Sequence, residues 1–219
     1  DYILDAVNGD MELANRTIGG VVKNTFALGP GKITSGIDWA YNDYDVDNYG
    51  DTDVPHWTME TMQIGAFVQG RFEFDNGIDL STGARVDNYR FTDFNGDRHS
   101  DTGASVNGTV SYEFAQGYEV FAGASHTWLG YRFGEYALLH ARGSDLYVAD
   151  DYKASSARNI KLGLNANHDN WTGNLTFFDT RLKNMGEFIF PDEGAPYLGN
   201  VDEYRSKGFT LQGTYSWGS

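Results

Sequence analysis

The sequence contains no cysteine, few prolines and no long apolar run. The absence of cysteine from its 219 residues excludes disulfide frameworks, thiolate metal sites and cysteine nucleophiles. Because no run of about 18 apolar residues occurs, the sequence predicts no transmembrane helix. Basic residues are also scarce: 16 Lys and Arg stand against 31 Asp and Glu, for a formal net charge of −15. This balance argues against a nucleic-acid partner, whose phosphates require Lys and Arg.

Known catalytic and nucleotide-binding motifs are missing as well. The chain has no GxGxxG or P-loop for phosphates, no GxSxG nucleophile elbow and no HExxH zinc motif. We therefore expect a protein that is not an enzyme. The residues that are abundant are glycine, at 27, and aromatic residues, at 15% of the chain.

Alternation of polar and apolar residues runs through most of the chain, and no segment shows a convincing helical period. In residues 63–74, QIGAFVQGRFEF, one face carries Ile64, Val68 and Phe72, while the other is mostly polar. The same pattern fits about 17–29, 31–44, 78–91, 104–114, 118–130, 160–167, 171–184 and 209–217. It predicts about nine strands, most of them about ten residues long or longer.

Short and long connections between these strands alternate strictly along the chain. The short ones are 28–32, 75–77, 115–117 and 168–170, where Gly, Pro, Asn and Asp supply turn geometry. The long ones are about 43–61, 91–104, 131–158 and 188–207. An outer-membrane barrel has short periplasmic turns and long extracellular loops, whereas a Greek-key sandwich has no reason for this order. We predict an all-β, antiparallel, up-and-down transmembrane β-barrel in the outer membrane of a Gram-negative bacterium.

Aromatic residues collect where the predicted strands approach their ends. Near the short turns lie Phe72, Phe74, Phe114, Tyr118, Trp171 and Trp217, and toward the long loops lie Trp39, Tyr41, Tyr89, Trp128 and Tyr131. These two sets predict girdles at the two lipid–water interfaces. A general preference of aromatic residues for strands is the alternative explanation.

The stretch QIGAFVQGRFEFDNGIDLSTGARVDNY, residues 63–89, resembles the barrel of TonB-dependent outer-membrane receptors. That family often carries a GAFVQ strand, a short turn and a GxRxDxY strand, which here begins at Gly83. Residues 152–184 and 200–217 resemble later strands of the same barrel. The resemblance implies a barrel of about 22 strands, of which about nine lie in this chain. The chain shows no plug domain and no TonB box, so residues 1–219 are expected to be part of one barrel domain.

The resemblance further implies active import without covalent chemistry, powered by the TonB complex through the plug. The expected cargo is a small iron chelate, a ferric siderophore first and haem second, bound by extracellular loops. Imidazoles ligate haem iron, aromatic rings stack on planar ligands, and guanidinium groups offset the charge of a ferric siderophore. The candidate contacts are Tyr131, Arg132, His140, Arg142, His56 and His99. Ordinary solvated loop residues are the alternative explanation for the histidines.

Two further contacts are expected from charged residues. Asp43, Asp45 and Asp47 resemble the start of a calcium loop, but Asn48 and Val54 stand where an EF-hand requires Gly and Glu. A loop-bound Ca²⁺ and a plain acidic loop both remain open, as do divalent bridges to lipopolysaccharide. On the lumen side of the barrel, Arg71, Glu73, Arg85 and Asp87 are expected to pair and to contact the plug. No resident metal or cofactor is otherwise predicted.

Other functions remain possible at this point. A small complete barrel of about eight to ten strands would act as an omptin-like protease or a passive porin. The protease would use rim residues such as Asp97 and His99 to activate water. A soluble, secreted β-sandwich is a third alternative.

Overall fold

A computed structural model describes residues 2–6, 9–48, 56–93, 96–131, 147–149, 151–192, 194 and 197–217 of the chain. Eleven strands make up its regular structure. They are β1 (Tyr2–Ala6), β2 (Gly9–Leu28), β3 (Gly31–Asn48), β4 (His56–Glu73), β5 (Ile78–Thr92), β6 (Arg98–Ala115), β7 (Tyr118–Gly130), β8 (Tyr147–Val148), β9 (Ser155–His168), β10 (Trp171–Ile189) and β11 (Tyr197–Tyr215). The nine long strands correspond one to one with the nine predicted from alternation. The described part of the chain has no helix of sufficient length and apolarity to cross a membrane.

All eleven strands belong to one sheet, in the order β1-β2-β3-β4-β5-β6-β7-β9-β10-β11-β8. Neighbours along the chain pair antiparallel, and β7 pairs directly with β9. The short β8 instead adds in parallel to the far edge of β11. This is the meander predicted from the sequence, and the single sheet makes the two-sheet sandwich interpretation wrong.

The four short turns lie where the sequence predicts them. Gly29, Gly77 and Gly117 adopt positive φ angles of 55°, 81° and 77°, a region that glycine enters without steric cost. Backbone hydrogen bonds close these turns, for example from the Gly77 nitrogen to the Phe74 oxygen at 3.1 Å. The strands therefore reverse tightly at this end, which is the periplasmic end of the predicted barrel.

The predicted long loops were too long, because strand pairing continues past the expected ends. β3 and β4 pair out to Asp47 and His56, so most of 43–61 is strand. β5 and β6 pair to Thr92 and Arg98, and the Asp93 nitrogen donates to the Asp97 oxygen at 2.9 Å. Likewise, β10 and β11 cover most of 188–207. Extended pairing satisfies backbone groups that a loop would leave to water.

The two faces of the sheet differ in polarity. On the face that we call outer, large apolar side chains are exposed, among them Val22, Ile37, Val68, Val86, Val106, Ile160 and Leu211. Their exposure on a continuous sheet matches contact with lipid. The opposite, inner face is polar, and one hydrogen-bonded chain on it joins Ser111, Glu119, Asn165, Asn174 and Thr176.

The aromatic residues near the short turns cluster together, as the predicted periplasmic girdle requires. Phe114 lies 6.2 Å from Tyr118, and Tyr118 lies 6.5 Å from Trp171, between ring centroids. The prediction for the extracellular girdle is only partly correct. Trp39 and Tyr41 are on the outer face, but Tyr89, Trp128 and Tyr131 lie on the inner face. Tyr89 shares the inner parity of Arg85, and Trp128 covers the inner side of Gly103, where a Cβ would meet its Cγ at 2.0 Å.

An ion network crosses three strands of the inner face. The Arg85 guanidinium donates to Asp38 Oδ2 at 2.5 Å and Oδ1 at 2.7 Å, and its Nε donates to both oxygens of Asp87 at 2.8 Å. Gln63 adds a hydrogen bond to Asp87 at 3.0 Å. Gly65 lies between them, and a Cβ there would come within 2.1 Å of Arg85 Nη2. The predicted Arg85–Asp87 and Arg71–Glu73 pairs are thus both formed.

Candidate ligand-binding site

The extracellular end of the inner face carries a packed apolar and aromatic cluster, which we call the mouth cluster. Its buried members are Val46, Met59, Phe91, Val148, Tyr152 and Leu198, and Tyr44, Tyr89, Tyr131 and Phe188 pack against them. These residues come from β3, β4, β5, β8, β10 and β11, from the residue that follows β7 and from the segment just before β9. The extension of the strands beyond the predicted ends is what brings them together.

The segment that precedes β9 reaches across the inner side of this end of the sheet. The Ala149 nitrogen donates to the Leu198 oxygen at 3.0 Å, and the Lys153 nitrogen donates to Asn200 Oδ1 at 2.7 Å. Asn200 Nδ2 returns a hydrogen bond to the Lys153 oxygen at 3.0 Å. These bonds hold Tyr152 inside the mouth cluster, where only 8% of it is exposed.

His99 is the predicted site residue with the most defined surroundings. Its ring stacks on Phe91, with centroids 4.3 Å apart and planes 11° apart. Its Nε2 lies 3.4 Å from Oδ2 of Asp93, whose side chain is 2% exposed, while that of His99 is 27% exposed. Metal-binding histidines are commonly held in this way, with one ring nitrogen donating to a carboxylate and the other available as a ligand.

Tyr131 belongs to the same group of rings. Its centroid lies 5.3 Å from that of Phe91, 5.6 Å from that of Tyr152 and 5.9 Å from that of Tyr89. Burial, with a smaller effect of the Asp101 charge, raises the pKa of the Tyr131 phenol above its usual value. Phe91 therefore connects Tyr131 and His99, two of the six predicted site residues.

The structure describes one of the other four predicted residues, His56, and it does not join this group. His56 lies on the outer face, where its Nδ1 is 2.7 Å from Asp47 Oδ1 and both side chains are about half exposed, at 54% and 45%. Arg132, His140 and Arg142 lie outside the described residues. Their role as ligand contacts stays a prediction.

The predicted calcium loop is not supported by the positions of its carboxylates. Asp43, Asp45 and Asp47 lie on β3 instead of in a loop, with partners Glu60, Thr58 and His56 on β4. Alternate residues of a strand are about 6.6 Å apart, too far for the three to close around one ion. Among the described residues, no group of three His, Asp or Glu side chains is placed to hold a metal.

Sequence reasoning missed several members of the mouth cluster. Phe91 was predicted at the end of a strand, and Met59 was predicted in a loop. Asp93, the partner of His99, was also predicted in a long loop. The signal was available at Phe91, because it shares the period-2 parity of Arg85 and Asp87 and must face inward with them. No sequence signal shows that Tyr152 packs among these rings, since its contacts are far apart in the chain.

The sequence model described as TonB-dependent receptor-like β-barrel matches residues 3–219. A curated relative, the haem transporter BhuA of Brucella ovis, is 49% identical over 211 residues, which are 96% of this chain and 31% of the relative. The chain therefore spans about a third of the length of the curated relatives it matches.

Solved structures show the same fold at low sequence identity. The copper transporter OprC matches with a TM-score of 0.79 and 18% identity, over 96% of this chain and 36% of that one. The FrpB iron transporter of Neisseria meningitidis matches with a TM-score of 0.78 and 15% identity, over 96% of this chain and 34% of that one. In each, the matched part is about a third of a larger chain.

Proposed function

This chain belongs to the TonB-dependent receptor β-barrel family, and we propose that the protein of which it forms part imports haem across the outer membrane. The 49% identity to a haem transporter carries the choice of cargo. The sequence alone ranked a ferric siderophore as the first candidate cargo and haem as the second, and this identity reverses that ranking. The outer-membrane location follows from the family, whose members are transporters and receptors and not enzymes.

The mouth cluster supplies surroundings suited to a planar, largely apolar iron chelate. Aromatic rings offer stacking surfaces, and partial burial excludes water from an iron–imidazole bond. His99 is the described residue best placed to act as an iron ligand, because Asp93 occupies Nε2 and leaves Nδ1 for the metal. The protease alternative fits less well, since the partner of the His99 ring is Asp93 and not the Asp97 carboxylate that was expected.

The partners of the complete receptor follow from the same proposal. A plug domain would fill the barrel against the polar inner face, where the Arg85 network carries two carboxylates and one guanidinium. Energy would come from the TonB complex acting on that plug. Lipid would cover the outer face.

Titration of the full-length receptor with haem, followed by the absorbance of the bound haem, tests the proposal. His99→Ala should weaken haem binding about tenfold or more, because an imidazole ligand is lost. His56→Ala is the matched control, since His56 lies on the outer face and its loss should leave the affinity unchanged. Tight binding of a ferric siderophore with no binding of haem would instead assign siderophore import. Binding of neither would refute the proposal.

A further inference from the structure

Three arginines from adjacent strands form a straight row on the outer face, although the chain is strongly acidic. Arg181 of β10 is the direct cross-strand partner of both Arg158 of β9 and Arg205 of β11. Lys183 and Lys207 lie one step above and below on the same face. We call these five side chains the arginine row. They are five of only 16 basic residues in a chain of net charge −15.

The local carboxylates do not neutralise the arginine row. Asp179 accepts hydrogen bonds from Arg205 and lies 3.8 Å from Arg181, and Glu203 lies 3.9 Å from Lys183. In the part of the chain that the structure describes, no carboxylate is within ion-pair distance of Arg158 or Lys207. Five cations and two carboxylates leave a net charge of about +3. Like charges directly opposite each other destabilise a sheet, so this arrangement calls for an external anion.

The height of the arginine row on the barrel identifies its surroundings. It lies ten residues from the periplasmic girdle at Trp171 and Tyr215, as counted from Trp171 to Arg181. At about 3.3 Å per residue and a strand tilt of about 40°, that distance is about 25 Å along the membrane normal. An apolar barrel surface is about 25 Å tall, so the row stands at the outer headgroup level.

Directly below the row, the outer face is apolar. Ile160, Leu162, Phe177 and Phe209 are 51–67% exposed and lie between the row and the girdle. A ligand that fits both features has acyl chains for this surface and anionic groups at the height of the guanidinium groups. Guanidinium groups bind phosphate through paired, charge-assisted hydrogen bonds. A soluble acidic protein would satisfy the charges but not the apolar surface.

We propose that the arginine row binds the phosphate groups of lipopolysaccharide in the outer leaflet, with its acyl chains on the apolar surface below. This site differs from the contact expected from the sequence, which used acidic loop residues and bridging cations. It depends on the outer-membrane location of the barrel but not on the cargo. Loss of haem binding would therefore leave it standing.

The test uses the full-length receptor in detergent, with lipopolysaccharide affinity measured from its effect on thermal unfolding. Arg158→Gln is the informative variant, because it removes a cation without freeing a paired carboxylate. We expect its affinity for lipopolysaccharide to fall about tenfold, the loss of one charge-assisted contact. Arg90→Gln is the matched control: Arg90 is also exposed on the outer face, but its partners are Met62 and Ser100. It should bind as the native receptor does.

Lipopolysaccharide without its phosphate groups should bind the native receptor weakly. Its affinity should be no higher than the affinity of intact lipopolysaccharide for Arg158→Gln. Equal losses in Arg158→Gln and Arg90→Gln, or unchanged affinity in both, would overturn the proposal. Equal protection by phosphatidylglycerol would overturn the assignment to lipopolysaccharide. The heat-dependent mobility of the receptor on gels gives the folded fraction of each variant. The affinity for lipopolysaccharide is then calculated for the folded molecules alone, even where a variant folds poorly.

Discussion

The Arg85 network allows a stability prediction that depends on one glycine. Removing Arg85 leaves Asp87, of which 3% is exposed, with the Gln63 amide as its remaining side-chain hydrogen-bond donor among the described residues. Breaking a buried ion pair from one side costs about 3–5 kcal/mol. Because the Arg85 and Asp38 side chains are 28% and 30% exposed, the lower end applies. We expect Arg85→Gln to lower the free energy of unfolding by about 3 kcal/mol.

Gly65→Ala should cost a similar amount by a different route. The added Cβ would stand 2.1 Å from Arg85 Nη2 and 2.4 Å from Asp87 Oδ1, so the guanidinium must leave its position above β4. Both variants then lose the same contacts. The double variant should cost about 3 kcal/mol and not the sum of about 6 kcal/mol, because the two changes are coupled. Gly108→Ala is the control, since a Cβ there meets no atom within 4 Å.

Urea-dependent folding of the full-length receptor into lipid vesicles measures these free energies. Adding Asp87→Asn to Arg85→Gln should recover part of the loss, because the second change removes the uncompensated buried charge. The reasoning fails if Gly65→Ala is as stable as Gly108→Ala. It also fails if the losses from Gly65→Ala and Arg85→Gln add in the double variant.

Three further predictions concern the mouth cluster and the faces of the sheet. Asp93→Asn should weaken haem binding about tenfold while retaining folding, because it loosens the His99 ring; an unchanged affinity in the haem titration would show that Asp93 does not position an iron-bound His99. Brominated lipid should quench Trp171 on the outer face but not Trp128 on the inner face, as judged by the quenching lost in Trp171→Phe and Trp128→Phe. Tyr131 should ionise at a higher pH than free tyrosine in an absorbance titration. Since folding favours its neutral form, the associated stability is present below the unfolded pKa of about 10 and is lost as pH rises through the folded value.

The fold was largely predictable because two independent signals agree along the chain. Alternation sets the strands, and the turn residues at Gly29, Gly77 and Gly117 set their ends at one side of the barrel. The other side was less predictable for a physical reason. In a strand that continues past the lipid, side chains still alternate between the two faces, but both faces are polar. The ends of β3 and β4 between Asp43 and Glu60 therefore look like an acidic loop in the sequence.

The candidate site was predicted only where residue chemistry is itself informative. His99 and Tyr131 stand out as a metal ligand and a stacking ring at predicted loops, whereas Phe91, which joins them, falls at the end of a predicted strand, where an aromatic residue is ordinary. The inward direction of Tyr89 and Phe91 nevertheless follows from counting by twos along β5 from Arg85. Trp128 could not be placed in this way, because the register with β9 shifts between Trp128 and Gly130. Parity is thus a reliable guide to the face of a barrel strand until the first irregularity, such as the register shift at Trp128 and Gly130 beside the mouth cluster.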